Sequence, residues 1–136
     1  MSGKELIKAF YESDIANDSE VVATYFHKDC ELHWSSSKGF LILNYDDLLS
    51  FFEGTRQSYN SVRFEFTHLM EVESTVVTRH TLFASTIEDP ENELALAHFS
   101  SIWTLKDNKL YKGYEISQLA DVNNAKSLKS YSEIKI

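Results

Sequence analysis

The sequence predicts an α+β domain, with three N-terminal helices packed on a curved, mainly antiparallel sheet. Two observations carry that prediction. Helical patterns crowd the first part of the chain, and from Ser61 onward the pattern turns to strands separated by short turns. Residues 62–72 alternate almost without a slip. Val62, Phe64, Phe66, His68, Met70 and Val72 fall on one side, and Arg63, Glu65, Thr67, Leu69 and Glu71 on the other. Alternation of period two over this length predicts a strand with one dry face and one wet face.

Each element has a local cause. Ser2 with Glu5 three residues on predicts a capped helix start, and Leu6, Ile7, Phe10 and Tyr11, extended by Asp14, make its inward stripe. Asn17 and Asp18 end that helix, and Asp18 can cap a short second one bearing Val21, Val22, Tyr25 and Phe26. His27, Lys28 and Asp29 predict a turn, and Cys30 to Ser35 a short strand ended by Lys38 and Gly39. Asn44 with Asp47 predicts the start of a third helix with Leu48, Leu49, Phe51 and Phe52 inward. Strands follow over 62–72, 76–87, 94–105 and 110–119, the last two joined by the tight turn Lys106-Asp107-Asn108-Lys109. Residues 1–122 are therefore one domain, and 123–136 a polar tail or short helix.

Composition narrows the function classes. A chain of 136 residues with 43% apolar content can bury a core of its own. The net charge of −8, with Lys and Arg scattered singly, argues against nucleic acid and anionic membranes as partners. The chain has neither a signal-like apolar run at its start nor a stretch of membrane-spanning length, and its one cysteine, Cys30, cannot close an internal disulfide. A cytoplasmic location is the expectation. No motif in the chain names a reaction.

Face assignment points to a pocket. Turning apolar sides inward selects Thr78, His80, Leu82 and Ala84, then Ala97, Phe99, Ser101, Trp103 and Leu105, then Leu110, Tyr114, Ile116 and Gln118. The simplest registers set His68 opposite His80, His80 opposite Ser101, and Ser101 opposite Tyr114, a polar row across an apolar concave face. A bulge near the Asp107-Asn108 turn would bring Glu115 inward in place of Tyr114. The histidines read either as satisfied interior residues or as the floor of a pocket where His80 or His68 serves as general base. Two opposed histidines offer two metal ligands but no third, so neither metal nor cofactor is expected. Trp34 and Trp103 would form flat apolar walls, and Tyr59 a hydroxyl at the mouth.

The element order resembles the NTF2-like superfamily, in particular its SnoaL-like branch, in which helices and a bent sheet form a cone (a cystatin-like α+β roll). Ala16-Asn17-Asp18 is similar to that family's turn between the first two helices. Tyr25-Phe26-His27-Lys28-Asp29-Cys30 resembles its aromatic-x-x-Asp lead into the first strand, and Asp107-Asn108-Lys109-Leu110 its Asp-Gly-Lys-Ile hairpin. The resemblance covers roughly residues 4–120 and speaks to fold more than function. It implies a tyrosine and two aspartates if the chain were a ketosteroid isomerase, and the matching positions hold Phe10, Trp34 and Ser101. It implies a carboxylate on the last strand if the chain were a polyketide cyclase, where Gln118 stands, or Glu115 if the register shifts. It also implies back-to-back dimers, and Phe83 and Ile102 on the outer sheet face suit a homodimer.

Three functions stay open. The first is binding of a small, largely apolar molecule by Trp34, His68, His80, Ser101, Trp103 and Tyr114, with Tyr59 and Gln118 nearby. The second is a lyase, isomerase or hydrolase using a pocket histidine. The third is a dimeric interaction module whose pocket is vestigial.

Overall fold

The structure is a computed structural model and describes residues 2–136. Helix α1 (Gly3–Glu12) is capped by Ser2, whose hydroxyl accepts from the Glu5 amide at 3.1 Å, and it buries Leu6, Ile7, Phe10 and Tyr11. The Glu71 carboxylate, 67 residues on, accepts from the amides of Gly3 and Lys4 at 3.2 and 2.9 Å. An anion thus meets the positive end of the helix and pins it over the sheet. Helix α2 (Val21–Tyr25) has Glu20 rather than Asp18 at its N-cap, and Asp18 accepts from the Glu20 amide at 2.9 Å.

Strand β1 (Phe26–Ser36) starts where α2 ends, so the expected turn at His27-Lys28-Asp29 is strand, bulged between Phe26 and Glu31. Strand β2 (Gly39–Asn44) was not expected, because the short run Phe40-Leu41-Ile42-Leu43 has no alternation to mark it. Helix α3 (Tyr45–Ser58) opens on the expected capping box, Asn44 with Asp47, with both bonds made at 2.9 and 3.0 Å. Strands β3 (Tyr59–Val72), β4 (Thr75–Thr86), β5 (Leu94–Lys106) and β6 (Lys109–Leu119) follow, then a short α4 (Ala125–Ser130).

The six strands form one sheet in the order β2-β1-β6-β5-β4-β3, antiparallel except where β1 runs parallel to β6. The three N-terminal helices lie over its concave face, and Ile7, Phe10, Tyr11, Phe26, Leu48 and Trp103 belong to the core between the layers.

Two bulges decide which side chains face that core. On β3, Phe66 pairs with His80 and His68 with Arg79, which leaves Thr67 as the extra residue. Every side chain beyond it changes sides. Leu69 is buried opposite Thr78, whereas Met70 and Val72 are exposed and His68 pairs on the outer face. The expected His68–His80 pair does not exist. On β6, Thr104 pairs with Lys112 and Leu105 with Leu110, which leaves Tyr111 extra. That bulge turns Gly113, Glu115 and Ser117 inward and Tyr114, Ile116 and Gln118 outward. The expected register of Ser101 opposite Tyr114 is replaced by Ser101 opposite Glu115, and His80 faces Phe99 rather than Ser101.

The C-terminal segment docks on the outer face of the sheet. Tyr131 stacks on His98 with ring centroids 3.6 Å apart, and the Arg79 guanidinium lies 3.8 Å from the same ring. Arg79 also donates to the Ser130 hydroxyl at 3.1 Å, and the Lys135 amide donates to the Thr67 carbonyl at 2.6 Å. The segment therefore covers one end of the surface expected to form a dimer contact. Among the described residues no helix is long and apolar enough to cross a membrane.

Candidate functional site

Between the helices and the concave face lies a cavity of about 320 Å³. Rings of Phe10, Trp34, Phe52, Phe64 and Phe99 line its walls, and Tyr59, Lys38 and Gln118 reach it near the solvent. The aromatic walls follow from the pattern: α1 and α3 turn their apolar stripes down, and β1, β3 and β5 turn theirs up.

One carboxylate stands in this apolar space. Glu115 accepts a hydrogen bond from the buried Ser101 hydroxyl at 2.7 Å. Among the described residues it has no cation within ion-pair distance. Burial pushes its pKa up to about 7, with the Ser101 bond pulling weakly the other way. The residue is half-buried and lines the cavity.

Around it sit two polar groups held in their neutral forms. The Tyr11 hydroxyl, on α1, accepts from the Trp103 indole at 3.1 Å. Burial first and the Glu115 charge second push its pKa far up, so it remains a donor at any working pH. His80 has Nδ1 3.0 Å from the Thr78 hydroxyl, and the rings of Tyr11, Phe64, Phe66 and Phe99 enclose it within 5.5 Å. Desolvation in that ring cage lowers its pKa to about 3. A neutral imidazole with so acidic a conjugate acid accepts protons poorly. The arrangement makes Glu115 the group able to exchange a proton near neutral pH.

The sequence matches a model of the SnoaL-like domain over residues 7–112. The chain belongs to the SnoaL-like domain family. No protein of curated function matches it. IdmH from Streptomyces antibioticus, a candidate polyketide cyclase, is similar in fold. It has 14% identity and a TM-score of 0.69 over 95% of this chain and 99% of that one. A candidate SnoaL-like polyketide cyclase from Shewanella denitrificans gives 8% identity and 0.66, covering 95% of each chain. AclR from Streptomyces galilaeus, a candidate hydroxylase, gives 15% and 0.65 over 93% of this chain and 81% of that one. At these identities the likeness shows the SnoaL-like fold, and one fold with two candidate chemistries leaves the reaction to the site.

Within this SnoaL-like fold the expected site residues divide. Trp34, whose indole donates to Ser117 at 2.9 Å, and His80, Trp103, Tyr59 and Gln118 all reach the cavity, Gln118 from the outward side of its ladder. Ser101 lies beneath it and holds Glu115. His68 and Tyr114 are on the opposite face, where His68 bonds to Thr67 at 2.9 Å and Tyr114 packs 5.1 Å from His33. Tyr11 had been assigned to an inward stripe but not to a site, and the hydroxyl sought at position 10 is supplied one residue later. Cys30 is buried, and burial raises its thiol to about 11, so it stays inert near neutral pH.

Proposed function

We propose that this SnoaL-like protein binds a small, largely apolar molecule in the aromatic cavity, with the ligand's polar end against Glu115, Ser101 and Tyr11. The observation that carries the reading is the lone carboxylate at the end of an otherwise apolar space. An open cavity of about 320 Å³ weighs against a vestigial pocket. A neutral, environment-sensitive naphthalene dye should bind the wild type and brighten. Ala97→Trp, which fills the cavity from β5, should abolish that signal while far-UV circular dichroism stays unchanged. Dye binding of equal strength in the filled variant would place the dye elsewhere and sink the reading.

A second reading, a lyase, isomerase or hydrolase, is favoured by the raised Glu115 pKa. In it Glu115 rather than a histidine is the general base, and His80 serves as a rigid neutral hydrogen-bonding group.

The outer face supports a homodimer. Phe40, Ile102, Tyr114 and Ile116 are each more than 40% exposed there, beside the part that Tyr131 covers. Phe83 is less suited than expected, since Arg63 lies 4.4 Å over its ring. Sedimentation should give a dimer for the wild type and a monomer for Ile116→Glu. A dimer that persists in that variant places the contact elsewhere. A buried thiol without a disulfide partner among the described residues is compatible with the cytoplasm.

A further inference from the structure

We propose that the ligand of this cavity is an amine, and that its ammonium group seats against Glu115 inside a ring of Trp34, Phe99, Trp103 and Tyr11. The inference rests on the cavity being the binding site and names the class of molecule it takes.

Four observations point the same way. Glu115 is a carboxylate without a counter-cation. Among the described residues its hydrogen-bond partner is the neutral Ser101, and the cavity's one lysine, Lys38, is exposed. The neighbouring histidine cannot supply the positive charge, because the ring cage around His80 holds it neutral. The sheet register sets aromatic side chains beside the carboxylate. Trp34 lies directly across the β1–β6 ladder from Glu115, and Phe99 and Trp103 flank Ser101 on β5, opposite Ser117 and Gly113. Tyr11 closes the ring from the helix side, joined to Trp103 by its 3.1 Å bond. A carboxylate set among indole, phenyl and phenol side chains is the chemistry that recognises an ammonium. The charge pair and the ring quadrupoles act on the same cation, and the apolar walls take its hydrocarbon part.

A neutral carbonyl ligand would fit the same space differently. It would accept from a protonated Glu115 or from Tyr11, and the ionised carboxylate would repel it. The two classes therefore have opposite pH dependences. Burial holds Glu115 near 7, so a permanently charged ammonium needs the proton removed. If only the ionised form binds, affinity rises about 30-fold from pH 5.5 to pH 8.

Benzyltrimethylammonium is the probe, because its charge does not titrate, and 4-phenyl-2-butanone is the neutral ketone of similar size. Both are measured by quenching of Trp34 and Trp103 fluorescence and by displacement of the naphthalene dye. The expected result is tighter binding of the ammonium than of the ketone at pH 8, by tenfold or more. Its affinity should fall about 30-fold at pH 5.5, and Glu115→Gln should lose the preference for the ammonium over the ketone. The wild-type pH series needs no variant, so it decides even if Glu115→Gln folds poorly. If the dye binds and the ketone competes as well as the ammonium, or the ammonium's affinity is flat with pH, the amine assignment is overturned and the cavity reading survives. If neither probe nor dye binds, both fall together.

Discussion

Gly113→Ala should cost about 3 kcal/mol and lower the melting temperature by about 10 °C, a large effect for one methyl group. Gly113 sits on β6 directly opposite Trp103, and a Cβ built there would lie inside the van der Waals envelope of the indole's six-membered ring. The indole has little freedom to yield. Its nitrogen is bonded to Tyr11 at 3.1 Å and its ring meets Phe26 edge-on at 5.9 Å, both within the buried core. The strain therefore passes to α1 through Tyr11 and to the floor of the cavity. Gly54 is the natural control, because it lies on exposed α3 with nothing near its missing Cβ. Gly54→Ala should raise stability by about 0.5–1 kcal/mol through helix propensity alone. Thermal melts and near-UV circular dichroism of both variants check this. A Gly113→Ala protein melting within about 2 °C of wild type would show that the indole has room, and the packing account would be wrong.

The same glycine marks how far the sequence could be read. The starts of α1 and α3 were legible because caps are local chemistry: Ser2 with Glu5 and Asn44 with Asp47 act within four residues. The inward set on β4 and β5 was legible because alternation there is continuous and polar residues oppose apolar ones. The faces beyond Thr67 on β3 were not, and on β6 the bulge that brings Glu115 inward was legible only as the alternative to Tyr114. A bulge adds one residue without any propensity signal, and the flanking residues hid the slip. Leu69 and Met70 are both apolar, so either parity gives a dry face. On β6 the preference was inverted, since Tyr114 and Ile116 are apolar yet point outward while Glu115 points in. Hydrophobic pattern finds the core only where the core is apolar and the surface polar. A cavity with a polar floor and an outer face fit for a partner break that rule at the same residues.

Glu115 and His80 should give the protein two opposed pH dependences that nearly cancel until one is removed. Glu115 has its folded pKa raised to about 7 from an ordinary value near 4.5. The folded state then holds the proton more tightly than the unfolded chain, so this contribution is fully present below about 4.5 and is lost as pH rises through 7. His80 is the reverse, lowered from 6.5 to about 3. The unfolded chain takes that proton first, so its contribution is full above about 6.5 and is lost as pH falls toward 3. Between about 4.5 and 6.5 the slopes oppose each other, each near 1.4 kcal/mol per pH unit at most, and wild-type stability should be nearly flat. Removing one group exposes the other. In Glu115→Gln stability should climb by about 2–3 kcal/mol from pH 4.5 to 6.5, and in His80→Phe, which suits the aromatic cage, it should fall by a similar amount. Urea unfolding at four pH values measures both. Parallel profiles for the two variants would mean that neither group is buried as described, and would remove the electrostatic ground for treating Glu115 as the reactive end of the cavity. Opposite slopes would fix Glu115 as a carboxylate that burial alone keeps protonated, which is the state an incoming cation would reverse.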